Sequence, residues 1–154
     1  MSSDNLTVEG VSATAVHEAA HVVVHLKEYG TFRYVTLRSR SAESVAHVYG
    51  VSGGSPATLM AGPIAEAMYD GTVARVGTKN LMAHMHGNGG CDDIQMFFED
   101  TNAADTGFWL ERTIKLVGQH WDTIITLAAL LERHRTLTSR QVRIVLAELS
   151  KEAV

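Results

Sequence analysis

The stretch between residues 12 and 29 constrains this chain more than any other. Val16, Ala20 and Val23 recur at helical spacing, and Val22, Val24 and Leu26 widen the apolar surface. A helix that is apolar on most sides must be buried. Ser12 or Thr14 supplies a cap at its start and Gly30 a stop at its end. Yet the same stretch carries His17, Glu18 and His21 in the pattern H-E-x-x-H. Residues four apart on a helix share a face, with Cβ atoms roughly 5–6 Å apart. Two imidazoles so placed can grip one metal ion from the same side. Glu18 sits one step round the helix. It is too far to be a third ligand but can reach a water and act as general base. The chain has 8 histidines, so the pattern alone does not decide the matter. Context must: a buried helix, a third ligand and an open coordination position.

A chain of 154 residues with 45% apolar and 19% charged residues fits one globular domain, residues 1–154, with 1–11 as a loose lead-in. The net charge of -4 offers no electrostatic argument for nucleic acid or an anionic membrane. No apolar run approaches a membrane span. Cys91 is the single cysteine, so no internal disulfide can form and a reducing, cytoplasmic setting is expected. The polar N-terminus carries no signal-peptide pattern.

Further along, residues 32–38 alternate in the manner of a strand, and 45–51 form a second, shorter one. Together they predict a small sheet beside the first helix, whose edge can accept an extended peptide. Ser55 and Pro56 open a second helix that runs to about Asp70, with Pro63 expected to kink or split it. Residues 84–91 read as a loop that leads into a helix start at Asp92 and Asp93. Residues 108–134 are helical, with Gly118 as a weak point or a close packing contact. Thr138-Ser139-Arg140-Gln141 has the capping-box form and opens a last helix. The fold class is α+β and predominantly helical: a zincin-like H-E-x-x-H helix, a small β-sheet and a C-terminal helical pair that supports the site.

A catalytic zinc wants three protein ligands and a water. Glu66, on the second helix, and Asp93, at the start of a helix after a glycine-rich loop, are both candidates. Residue chemistry alone does not separate them. Glu66 can equally orient a ligand imidazole from behind.

His17-Glu18-Ala19-Ala20-His21, the strand Tyr34-Val35-Thr36-Leu37-Arg38, residues 59–71 around Gly62 and Glu66, and Gly90-Cys91-Asp92-Asp93-Ile94 occur in an order that resembles the peptidase domain of the FtsH-type zinc metallopeptidases. Residues 111–142 also resemble that family's closing helices. The resemblance covers about residues 12–145 in pieces. It implies Zn²⁺ held by His17, His21 and Asp93, with Glu18 as the catalytic base. The family's middle-helix glutamate, which falls on Glu66, is not a ligand. The chain departs from the family at Ala20, in place of glycine, and at Pro63, in place of arginine. The segment after Asp93 is also shorter. No P-loop G-x-x-x-x-G-K-[ST] is present, so the expectation is a peptidase domain without the ATPase and membrane segments. Such a domain would take unfolded segments or peptides, work with a separate unfoldase, or assemble with copies of itself.

Other polar residues have plainer readings. His84 and His86 read as loop histidines before extra ligands or substrate contacts, Cys91 as a small packed side chain before a thiol nucleophile or ligand, Asp92 as a helix cap, and His25 as a structural residue facing the core before an extension of the ligand row. His47 and Tyr49 could stabilise an oxyanion, but nothing in the sequence places them. The expected function is zinc-dependent peptide hydrolysis. The alternative is an inactive or regulatory peptidase-like binding module.

Overall fold

Helix α1 (Ala13–Lys27) is the centre of the molecule. Ser12 caps it, its hydroxyl accepting from the Ala15 amide at 3.1 Å, an arrangement that stabilises a helix start by about 1 kcal/mol. Val16, Ala19, Ala20, Val22, Val23 and Val24 are wholly inaccessible to solvent. Burial on nearly every side agrees with the apolar periodicity and leaves the polar residues of α1 in protected surroundings. Beyond Lys27 the chain leaves the helix through Tyr29, whose φ of 65° is left-handed, and not through Gly30. The glycine is needed one residue later for a different reason: a Cβ on Gly30 would lie 2.2 Å from the His25 ring.

The computed structural model describes residues 7–37, 47–72, 97, 99, 101 and 105–152. After α1 come β1 (Tyr34–Thr36), β2 (His47–Tyr49), α2 (Ala57–Tyr69), α3 (Thr106–Gln119), α4 (Trp121–His134), β3 (Thr136–Thr138) and α5 (Ser139–Glu152). The described residues are mostly helical, with one three-stranded antiparallel sheet in the order β2-β1-β3. Tyr34 pairs with Tyr49 on one side and with Thr138 on the other.

The third strand is not foreseen in the sequence. Arg135 adopts a left-handed φ of 67° at the end of α4 and turns the chain into β3. Thr138 closes the strand and also begins the capping box of α5. Its amide donates to Gln141 Oε1 at 2.8 Å, and the Gln141 amide donates to its hydroxyl at 3.2 Å.

Two further expectations are refined. Of the two outcomes expected at Pro63, the split does not occur: the proline lies inside a single helix α2. Met60, Ala61, Ile64 and Ala65 on either side of the proline are all fully buried, and this packing holds both halves of the helix in place. The helical stretch 108–134 is two helices, interrupted at His120 with φ −109°. The interruption lets α3 pack on α2 while α4 packs on α1. α5 touches α4 and β3, and its Ile144 side chain is exposed.

The lead-in is tied down where it is described. The Tyr69 hydroxyl, at the end of α2, meets the carbonyls of Val8 and Val11 and accepts from the Val8 amide at 2.8 Å. Among the described residues, no helix is long and apolar enough to cross a membrane.

Candidate metal centre

The site lies where α1 and α2 pack against each other, the most extensive contact among the described elements. His17 and His21 turn their imidazoles toward α2. Their Nε2 atoms stand 3.1 Å apart, and the rings meet edge to face with centroids 4.8 Å apart.

The far side of each ring is engaged by α2. His17 Nδ1 lies 2.9 Å from Glu66 Oε1, and His21 Nδ1 lies 2.7 Å from the Thr58 carbonyl. Carboxylates and carbonyls accept only, so each Nδ1 carries the proton and donates it. Both Nε2 atoms are then acceptors turned toward one point, and a cation at that point satisfies both. Metal-ligating histidines are held in this way, with the second nitrogen fixed by a carboxylate or a backbone carbonyl.

Glu18 completes the cluster. Its residue is 7% exposed, and Oε1 lies 4.0 Å from His17 Nε2. The candidate ligand atoms of His17, Glu18 and His21 all fall within 4.8 Å of one another, so the group can hold a metal ion. The donor chemistry fits a small divalent cation. Two metal–nitrogen bonds of about 2.0–2.1 Å at a tetrahedral angle put the nitrogens about 3.3 Å apart, a few tenths of an ångström more than the separation seen.

The backbone of α2 must come very close to make this possible. A Cβ on Gly62 would fall 2.4 Å from His21 Nε2 and 2.6 Å from His17 Nε2. Gly62 therefore keeps clear the space in which both nitrogens converge. A glycine inside a helix weakens the helix by about 1 kcal/mol relative to alanine, so its presence mid-helix is the signal that points to such an approach.

Of the residues singled out in the sequence, His17, Glu18 and His21 are brought together. Glu66 is also present, but on the Nδ1 edge of His17, away from the converging nitrogens, where it orients the imidazole. Asp93, His84, His86, Cys91 and Asp92 lie outside the described residues. Tyr49 stacks on Tyr34 in the sheet, with ring centroids 4.8 Å apart.

His25 is buried to 1% exposure as a structural histidine. Its Nε2 lies 2.9 Å from the Thr31 carbonyl and 3.1 Å from that of Ser52, and Nδ1 lies 3.1 Å from Thr58 Oγ1. Thr58 carries no signal in the sequence, because the atom that meets His21 is its main-chain oxygen.

One turn further along, Glu28 and Arg112 tie α1 to α3. Arg112 donates through Nε at 2.6 Å and Nη2 at 2.8 Å, and the Ser55 hydroxyl adds a third bond at 3.1 Å. Hydrogen bonding from Arg112 is the main cause that holds the Glu28 carboxyl below its ordinary range, against the opposing effect of burial.

A scan against protein-family models finds no match for this chain, and a search of curated proteins finds none either.

Proposed function

We propose that the chain is a zinc-dependent metallopeptidase that hydrolyses peptide bonds in unfolded proteins or peptides. One observation carries the reading: two histidines with Nδ1–H engaged from behind turn their Nε2 atoms to one point, with a buried glutamate alongside. Imidazole and carboxylate donors in a tetrahedral arrangement suit zinc. His17 and His21 hold the ion, and Asp93 is the third ligand that the resemblance to FtsH-type peptidases implies. Zinc at this position supplies Lewis acidity and an attacking water that ionises near neutral pH.

The chain supplies the rest. Glu18 takes the proton of the attacking water and passes it to the leaving amine. Glu66 and the Thr58 carbonyl keep the two imidazoles in the tautomer that leaves Nε2 available for the metal. Strand β2 lies at the outer edge of the described sheet, a position from which an extended substrate can add as a further strand.

Glu18→Gln tests the mechanism. Hydrolysis of an unfolded model protein is expected to fall by about 10²–10⁴-fold, while the zinc content stays at the wild-type level. Undiminished hydrolysis in that variant overturns the role of Glu18. A zinc-loaded wild type that cleaves no unfolded protein or peptide favours the regulatory binding module instead.

A further inference from the structure

His25 stands one turn beyond His21 on the same face of α1, and both rings meet one residue of α2. Thr58 faces His21 with its main-chain carbonyl at 2.7 Å and His25 with its hydroxyl at 3.1 Å. Two carbonyls, those of Thr31 and Ser52, lie against His25 Nε2. Carbonyls only accept, so the proton of His25 is on Nε2, and Nδ1 is an acceptor for the Thr58 hydroxyl. The two carbonyls belong to a reciprocal backbone pair, in which the Thr31 amide donates to Ser52 and the Ser52 amide to Thr31, at 2.8 and 2.9 Å. Hydrogen bonds thus run from that backbone pair through His25 to the Thr58 hydroxyl, and the main chain of the same Thr58 carries the carbonyl that meets His21.

The ring of His25 occupies a slot made by two glycines. A Cβ on Gly30 would lie 2.2 Å from Cε1, and a Cβ on Gly54 would lie 2.4 Å from Nδ1. Gly30 follows α1 and Gly54 precedes α2. Gly54 also has a φ of 84°, which a residue with a side chain rarely adopts. His25 therefore pins the first turn of α2 to the end of α1. That first turn contains the carbonyl on which the orientation of His21 depends.

We propose that Thr58 and His25 are positioning residues of the metal centre: the His25–Thr58 hydrogen bond sets the Thr58 carbonyl, and that carbonyl sets the ring and tautomer of His21. The inference rests on the reading of His17 and His21 as metal ligands.

Thr58→Val is the direct test, because it removes only the hydroxyl and keeps shape and carbonyl. The probe is Zn²⁺ alone, titrated into the metal-free protein in competition with a chromophoric chelator. Loss of a supporting partner of a ligand weakens metal affinity by about 10–100-fold. The hydroxyl acts one bond further out, so a loss of about 3–10-fold is expected, with Thr58→Ser restoring the wild-type value. Val142→Ala, a core change on α5 far along the chain from the site, is expected to bind zinc as tightly as wild type.

Equal affinity in wild type and Thr58→Val overturns the positioning role and leaves the metal reading standing. An equal loss in Val142→Ala also overturns it, since general destabilisation would then explain the effect. A wild type that binds no zinc overturns both readings.

Should Thr58→Val fail to fold, histidine ¹⁵N spectra of the wild type decide the question. His25 is expected as the Nε2–H tautomer, with its Nδ1 resonance shifting when zinc is added. An Nδ1–H tautomer, or a His25 signal indifferent to zinc, contradicts the proposal.

Discussion

His21 and His25 are one helical turn apart on α1, both packed against α2 and both in contact with Thr58, yet their surroundings differ in kind. His25 has protein partners on both ring nitrogens and a glycine slot shaped to its ring. His21 has its Nδ1 bound by a carbonyl and its Nε2 turned toward His17. The same residue type on the same helix face is a rivet in one place and a candidate ligand in the other. What distinguishes them is the tautomer imposed by the neighbouring backbone. Carbonyls at Nε2 make His25 structural, whereas a carbonyl at Nδ1 directs the lone pair of His21 outward.

Removing each ring should have opposite consequences. His21→Ala is expected to abolish stoichiometric zinc binding with little effect on the metal-free fold. His25→Ala is expected to destabilise the metal-free protein by about 2–4 kcal/mol, through a lost buried hydrogen-bond network and a cavity. Zinc content by mass spectrometry and denaturant melts of the metal-free proteins measure the two effects separately.

Glycine substitutions sharpen the same contrast. Gly62→Ala places a methyl group against both Nε2 atoms. It is expected to cost about 1–3 kcal/mol by overpacking and to remove tight zinc binding. Gly118→Ala meets nothing within 4 Å in α3. It is expected to raise stability by about 0.5–1 kcal/mol without touching metal affinity.

Glu66→Ala removes the acceptor behind His17 and is expected to weaken zinc binding by about 10–100-fold. Glu66→Gln keeps a carbonyl acceptor for the Nδ1–H and should lose less. If Glu66 were instead a ligand, both variants would fail to retain zinc.

The smallest effect expected is on acid stability. Arg112 holds the Glu28 carboxyl below its ordinary value of 4.5. A depressed carboxyl contributes stability that is fully present above the unfolded value and is lost as pH falls through the folded one. The wild-type melting temperature should therefore decline below about pH 4.5, and the part of that decline due to Glu28 should shrink in Arg112→Met. Melts across pH 2–6 show whether it does.

Much of this arrangement is legible in the sequence, for physical reasons that mark the boundary. α1 is readable because a buried helix needs apolar residues on most sides and a cap, and residues 12–29 have both. The capping box of α5 is readable because two side chains three positions apart satisfy each other's amides. Glu66 is readable as a polar residue on an apolar helix, though residue chemistry leaves ligand and ligand-orienting roles equally open. The interruption at His120 is only half legible: Gly118 stands two residues before it, but a continuous apolar periodicity runs through residues 108–134.

Strand β3 is hidden for a different reason: three residues are too few to show alternation, and two of them are threonines shared with a turn and a cap. The part played by Thr58 is invisible, since its functional atom for His21 belongs to the backbone. The role of Asp93 rests on the resemblance alone, because the residue lies outside those described.

Whether a metal ion sits between His17 and His21 is decided by an anomalous-difference map collected at the zinc absorption edge from crystals grown with Zn²⁺. The expected result is a single strong peak about 2.0–2.1 Å from both Nε2 atoms, with Glu66 and the Thr58 carbonyl still on the two Nδ1 atoms. A map with no peak there, or with the ion bound through Nδ1 after Glu66 has moved, would contradict this arrangement.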